Sequence, residues 1–253
     1  MVYNSLTRAP RNIKEAIDWL IALRGADAAN NLAAMGAAIH KFLADKPVGR
    51  MKLPALEKVK LITKEFLEQE ELKGMWPANE MLGKFEAPLS KNPCIIAKIF
   101  KLMAYSDYNN VVQNKGLTAT KIAEKLGKVV GGCEMFLDRI KTPKQYKSAY
   151  SSKATWESSC AKNPEACAVV LVGIAPMLYT GLRSLRKAAY DETRKLAPFS
   201  ANKTLDNVLE PLGYVEPECR AGMTASRVSW ALRGVNKEIL TTLYDLAGFW
   251  AFY

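Results

Sequence analysis

The chain has 253 residues, of which 49% are hydrophobic and 24% are charged. This composition is that of a globular protein and excludes a disordered one. The chain carries 36 lysine and arginine residues against 25 aspartate and glutamate residues, which gives a formal net charge of +11. Such a surplus favours contact with nucleic acid, acidic lipid, sulfated glycans or an acidic protein face. A basic surface that serves only solubility explains the charge equally well.

Cysteine usage leaves the redox compartment open. The five cysteines are Cys94, Cys133, Cys160, Cys167 and Cys219. In an oxidising compartment they allow up to two disulfides with one thiol left over, and otherwise they are small apolar core residues. With one histidine and no CxxC pair, no structural zinc site is expected. The first 16 residues lack the apolar stretch of a secretory signal, so we expect no signal peptide.

Helical periodicity and capping residues predict helices along the first half of the chain. Asn12, with Glu15 three residues later, starts a helix that Gly25 ends, and Asp27 caps an alanine-rich helix over 28–44. Small residues at that density allow a second helix to approach closely. A third helix is predicted over 55–72. Residues 75–93 form the longest irregular region, with one short helix near 80–85, and 94–105 reads as a short apolar helix.

The second half continues in the same way. Thr118 caps a helix that runs to Ile140, in which the Gly131-Gly132 pair predicts a kink or a close helix crossing. Further helices are predicted at 204–212, at 225–233 after Thr224, and at 237–253 after Asn236. No alternating strand pattern exceeds four residues. The prediction is therefore an all-α, multi-helix bundle of about eight to ten helices, a single domain over 1–253 with a subdomain division left open at 75–93.

The most apolar stretch predicts a central helix near residues 164–190. Asn163 is its N-cap and Pro164 its first residue. Pro176 provides no backbone N–H and predicts a bend. The apolar part, 166–182, is shorter than the ~20 residues that span a bilayer, so we expect a core helix and no transmembrane span. Cys160 and Cys167 flank the start of this helix and are a candidate disulfide, which the spacing alone leaves open.

Basic side chains follow the apolar part of this helix. Arg183, Arg186 and Lys187, together with Arg194, are a candidate basic contact face, although a solvated helix face is the simpler explanation. Two loop regions, 75–93 and 146–159, are the other candidate contact regions because binding residues often lie in loops.

No catalytic, cofactor or metal-binding motif is present in the sequence. The single histidine, His40, falls in the alanine-rich helix, where a structural role is expected. We therefore predict a chain that is not an enzyme and binds no cofactor. Nucleic-acid binding is also not expected, because basic residues are interspersed with acidic ones, although Arg227 and Arg233 imitate the outer face of a recognition helix.

Four blocks of the sequence occur together in a known family. The opening RNIKEAIDWLIALRGAD, the blocks LGKVVGGCEMFLDRI and CAKNPEACAVVLVGIAPMLYTGLRSLR, and the ending GFWAFY resemble the variant erythrocyte surface antigens of Babesia. The resemblance extends over most of the chain at these blocks, which are structural and contain no functional motif.

The resemblance implies a parasite protein that is exported to the surface of the infected red cell. It also implies antigenic variation and adhesion to host cells through a host or parasite surface protein or a partner subunit of the same family. Members are longer and carry a C-terminal membrane anchor, which this sequence does not show, so a short member or an ectodomain-like module is implied. The alternative is an intracellular, basic helical protein that binds nucleic acid or acts as a scaffold.

Overall fold

The computed structural model describes residues 2–87, 89–95, 99–100, 103–194, 205–215, 219 and 222–253. The protein is 65% helical, and no strand occurs among the described residues. An isolated parallel bridge joins Tyr3 to Tyr150. The all-α bundle that the sequence predicts is confirmed.

The helices along the chain differ widely in length. In chain order they are α1 (Ile13–Arg24), α2 (Ala28–Leu43), α3 (Pro54–Leu67), α4 (Glu70–Lys73), α5 (Ala78–Glu86), α6 (Val111–Asn114), α7 (Ala119–Ile140), α8 (Trp156–Ser159), α9 (Pro164–Thr193), α10 (Leu205–Leu209), α11 (Ala225–Ala231), α12 (Lys237–Leu246) and α13 (Phe249–Phe252). Tyr105–Asp107 and Leu232–Gly234 form 3-10 turns.

The predicted N-caps set the helix starts. Each cap side chain accepts a hydrogen bond from the backbone N–H three residues further on, which satisfies a donor that has no partner within the helix. The residues that cap in this way are Asn12, Asp27, Thr118, Asn163, Thr224 and Asn236.

Helix α9 is the centre of the bundle. It contacts α1, α2, α3, α5, α10, α11 and α12, and it continues as a helix through Pro176. The bend at this proline stays a prediction. Among the described residues, α9 alone is long and apolar enough to cross a membrane, and 83% of its apolar window is buried inside the protein. That burial is typical of a core helix.

The alanine-rich helix α2 packs closely on α7, as its composition predicts. A Cβ atom at Gly36 would lie 2.6 Å from the carbonyl oxygen of Ala119 and 2.7 Å from the Cβ of Ala123. Buried apolar residues from Tyr3 to Tyr253 belong to one hydrophobic cluster. The elements that form the cleft described below are therefore held by a common core.

Two helix boundaries differ from those that the sequence predicts. The helix predicted over 55–72 ends at Leu67, and the chain turns at Gln69 into α4. A continuous helix would carry Leu72 about 140° away from Leu67, whereas the turn leaves both leucines fully buried. The predicted helix therefore joined two shorter helices, because the apolar residues after Leu67 do not continue on the same face.

The helix predicted over 237–253 is interrupted at Gly248. This residue has φ 67° and ψ 35°, the left-handed conformation that glycine adopts at little cost. The turn separates α12 from α13 and buries Phe249, Trp250 and Phe252 together. A Cβ atom at Gly248 would lie 2.8 Å from Cδ2 of Phe252, so the close approach of this ring also requires glycine there.

Two other predictions fall partly outside the described residues. The helix predicted over 94–105 includes 96–98 and 101–102, which the structure does not describe, and Tyr105 begins a 3-10 turn. The helix predicted over 204–212 begins at an undescribed residue, and its described part is Leu205–Leu209.

Candidate binding cleft

A disulfide fixes the chain just before the central helix. Cys160 and Cys167 are bonded, with their Cα atoms 5.8 Å apart, inside the range that a disulfide requires. The bond joins the end of α8 to the first turn of α9, and both cysteines are fully buried. The candidate disulfide is thus confirmed. Cys94 is a free, exposed thiol, Cys133 is a free, buried thiol, and Cys219 is buried.

The surface of the bundle contains an open cleft of about 1310 Å³. It lies between α5, the second half of α9, α12 and the 3-10 turn Tyr105–Asp107. We call it the aromatic cleft after the side chains that dominate its lining. These include Trp76, Tyr105, Tyr179, Tyr190 and Tyr244.

Arg183 stands at the centre of the aromatic side chains. Its guanidinium carbon lies 4.1 Å from the ring centroid of Trp76 and 5.0 Å from that of Tyr179. It also donates a hydrogen bond to the hydroxyl of Tyr179, whose ring meets the edge of Tyr244 at a centroid distance of 5.0 Å. The planar guanidinium is therefore held against aromatic faces, in the cation–π arrangement that suits arginine.

A buried carboxylate forms the floor of the cleft. Asp107 is fully buried and accepts hydrogen bonds from Lys84 Nζ at 2.7 Å and from the Tyr244 hydroxyl at 2.8 Å. Burial and then the negative charge of Asp107 raise the pKa of Tyr244 far above its ordinary value, so this phenol stays protonated and donates. A buried charge needs such partners to be tolerated, and the network fixes the floor.

The structure brings three of the four residues of the predicted basic face into the cleft. Arg183, Arg186 and Lys187 line it, whereas Arg194 stacks on the outside of Tyr190, 4.4 Å from the ring centroid. Lys187 pairs with Asp191 at 2.6 Å.

Arg186 is held by backbone carbonyls. Its Nη2 donates to the carbonyl oxygens of Leu232 and Val235. Burial, and to a smaller extent the charge of Arg183, lower the pKa of Arg186. The guanidinium thus ties α9 to the segment that precedes α12.

Cations outnumber carboxylates around the cleft. The six cations are Lys84, Lys115, Arg183, Arg186, Lys187 and Lys237. The four carboxylates are Glu80, Asp107, Asp191 and Asp245. Three ion pairs, Lys84–Asp107, Lys115–Asp245 and Lys187–Asp191, neutralise six of these ten groups.

The two predicted contact loops have different surroundings. Region 75–93 contributes Trp76, Lys84 and Leu89 to the lining of the cleft. In region 146–159, by contrast, Tyr146 donates to Asp18 at 2.6 Å and Tyr150 donates to the carbonyl of Arg8 at 2.6 Å. This second loop therefore ties the N-terminal segment to the bundle.

The described residues offer little for metal binding or thiol chemistry. No group of three or more His, Cys, Asp or Glu side chains among them is placed to hold a metal ion. Burial raises the pKa of Cys133 to about 12, which disfavours the reactive thiolate. Cys167, a thiol that the start of a helix would activate, is held in the disulfide.

The aromatic lining as a whole was not predictable from the sequence. Trp76 falls in the candidate contact region 75–93, but Tyr105 and Tyr244 lie far from it along the chain and beside apolar residues. Nothing in the sequence indicates that the three meet. Comparison with known proteins adds no template for this cleft. No family model matches the chain, and no curated protein or solved structure matches it significantly.

Proposed function

We propose that this chain is a non-enzymatic helical surface-antigen module that binds a protein on the host or parasite cell surface. The role implied by the resemblance to the variant erythrocyte surface antigens is adhesion to host cells and antigenic variation on the infected red cell. The observation that carries the proposal is the Cys160–Cys167 disulfide, because disulfides persist in extracellular and other oxidising compartments and are rare in the cytosol. It lies in one of the four blocks on which the resemblance is based.

The aromatic cleft supports the protein-binding part of the proposal. Trp, Tyr and Arg are the residues that dominate the binding energy of protein interfaces, and all three types meet where Arg183 stacks on Trp76 and Tyr179. An open cleft of about 1310 Å³ exceeds the ~300–1,000 Å³ of ordinary small-molecule sites. A segment of a partner protein fits such a surface.

Surface location and adhesion are tested separately. Antibodies against the purified, oxidised chain should stain intact infected red cells without permeabilisation, and the purified chain should bind cultured endothelial cells. Staining that appears only after permeabilisation would contradict the proposal. Binding to endothelial cells that persists after their surface proteins are removed with trypsin would contradict a protein ligand.

The net charge of +11 favours a second candidate, an intracellular protein that binds nucleic acid or acts as a scaffold. Arg227, one of the two residues that would read nucleic acid, donates through Nε to the carbonyl oxygen of Arg139, which occupies part of its guanidinium. For this candidate, binding to RNA or DNA should weaken steeply as salt is added, and the chain should be found inside the parasite.

A further inference from the structure

Three cations of the aromatic cleft lack a carboxylate partner. Arg183 and Arg186 lie one helical turn apart on α9, and Lys237 begins α12 two residues after Val235, whose carbonyl Arg186 binds. Among the described residues, none of the three cations forms a salt bridge. Arg186 uses only Nη2 for its backbone contacts, so other guanidinium donors remain. A bound anion would complement these three charges.

Exposed aromatic rings flank these cations. Trp76, Tyr105 and Tyr190 are 38%, 47% and 45% exposed, and all three line the aromatic cleft. Exposure of a large aromatic side chain forgoes more hydrophobic stabilisation than exposure of most residues does, because each such side chain can bury about 150–250 Å². Their convergence on one cleft indicates that a ligand with apolar groups covers them.

We infer that the aromatic cleft binds an acidic peptide segment of a partner protein. One or two carboxylates of the segment would contact Arg183, Arg186 and Lys237, and its apolar side chains would cover Trp76 and Tyr190. This inference deepens the proposed function and rests on it in one respect, namely that the chain acts by binding another protein.

The carboxylates of the cleft favour a peptide over a polyanion. Glu80, Asp107, Asp191 and Asp245 lie in the same lining as the cations. A sulfated glycan or a nucleic acid carries charge on nearly every unit. It would place some of that charge against Glu80, or against lysines that are already paired with Asp107, Asp191 or Asp245. A peptide can place a few carboxylates against the unpaired cations and uncharged side chains elsewhere.

A random peptide library displayed on phage, selected against the immobilised purified chain, tests the inference. We expect the enriched sequences to combine Asp or Glu with Leu, Phe or Tyr. The enriched peptides, synthesised with a fluorescent label, should bind in solution by fluorescence anisotropy. Their affinity should fall about tenfold or more in Arg183→Ala and in Trp76→Ala, as for central interface residues.

The chain offers a matched control for the arginine–tryptophan pair. Arg139 lies 4.4 Å from the ring centroid of Trp230, which is 45% exposed, and neither residue lines the cleft. Arg139→Ala removes a stacked arginine of the same kind and should leave the peptide affinity unchanged.

Charge reversal at Lys237 provides a second variant that does not disturb packing. Lys237 is exposed at the first position of α12, where an acidic residue suits the helix dipole. Lys237→Glu should keep the thermal unfolding midpoint and weaken binding of the acidic peptides. Lys121→Glu reverses an exposed charge in the first turn of α7, outside the cleft. It should leave both the thermal unfolding midpoint and the binding of the acidic peptides unchanged.

The other outcomes overturn the inference. These are a selection without enrichment, enriched peptides that lack acidic residues, and peptides that bind Arg183→Ala and Lys237→Glu as tightly as the unaltered chain. Binding of heparin that Lys237→Glu abolishes, without peptide enrichment, would assign the cleft to glycans and overturn it as well. Cell adhesion that survives Arg183→Ala would leave the proposed function intact and remove only this inference. Acidic-peptide binding by a chain confined to the parasite interior would support this inference and contradict the proposed surface function.

Discussion

Thr63 of α3 donates its hydroxyl hydrogen to the carbonyl oxygen of Gly173 in α9 at 2.7 Å. Both residues are buried. The bond reaches α9 in the turn that precedes Pro176, where proline supplies no backbone N–H. Thr63 thus ties α3 to α9 one residue after Val172, whose carbonyl is the one that Pro176 leaves without a helical N–H partner.

Replacing Thr63 by valine should therefore weaken the bundle. The side chain keeps its shape but loses its donor, and we expect a loss of about 1 kcal/mol in the free energy of unfolding, measured by urea denaturation. Thr242→Val is the matched control, since Thr242 donates at 2.9 Å to the carbonyl of Glu238 within its own helix, so this hydroxyl bond joins no second helix. An equal loss in both variants would contradict a special role for the contact between α3 and α9.

The disulfide should stabilise the chain measurably. It closes a short loop, for which the chain-entropy relation gives about 2–3 kcal/mol. In urea denaturation, the free energy of unfolding of the double variant Cys160→Ser, Cys167→Ser should be lower by that amount. A reducing agent should lower the free energy of unfolding of the unaltered chain equally. Reduction should not shift the double variant further. Cys94→Ser, at the exposed free thiol, should leave the unfolding curve unchanged.

The neighbouring glycines of α7 should respond in opposite directions to alanine. A Cβ atom at Gly132 would lie 2.5 Å from Ile239 Cδ1 and 3.0 Å from the carbonyl oxygen of Gly234, whereas nothing lies within 4 Å of one at Gly131. Gly132→Ala should cost about 1–3 kcal/mol by overpacking. Gly131→Ala should stabilise by up to about 1 kcal/mol, because alanine is the better helix former. A gain in both variants would contradict the close crossing.

The contribution of Lys91 to stability should rise with pH in the alkaline range. Its Nζ donates to the carbonyl oxygens of Phe249 at 2.7 Å and Asp107 at 3.2 Å. Burial lowers its pKa to about 8; Asp107 opposes this shift, and Arg50 and Lys84 add to it. Between about pH 8 and the ordinary lysine pKa of about 10.4, Lys91 is more fully protonated in the unfolded chain than in the folded one, so its contribution to the free energy of unfolding increases with pH.

Urea denaturation of the unaltered chain and of Lys91→Met at about pH 7.5 and about pH 10 measures this contribution. The stability of the unaltered chain relative to Lys91→Met should be greater at the higher pH and should decline as the pH falls through about 8. A difference that does not change with pH would contradict the lowered pKa.

Local signals in the sequence account for much of the fold. Asn12, Asp27 and Asn163 each mark a helix start because the cap bond involves only residues three apart. The end of α3 was not predictable in this way, since it depends on burying Leu72 in the core. Gly248 was a possible signal for the break between α12 and α13, but the apolar residues around it favoured a continuous helix.

The candidate cleft was only partly visible in the sequence. Arg183, Arg186 and Lys187 follow each other at helical spacing, so a shared basic face was readable from one segment. Tyr179 and Tyr190 lie on the same helix. Trp76, Tyr105 and Tyr244 come from other parts of the chain, and the ring of Trp76 meets Arg183 only through tertiary packing. Arg194 was predicted with the same basic face, but it does not line the cleft.

The thiol state of Cys160 and Cys167 in the native protein tests the account most directly. Infected cells are lysed in an alkylating reagent that blocks free thiols, and peptides of the purified chain are analysed by mass spectrometry before and after reduction. We expect a peptide pair joined through Cys160 and Cys167, with Cys94 alkylated from the start as an internal control. Complete alkylation of Cys160 and Cys167 before reduction would contradict it, because the chain would then reside in a reducing compartment.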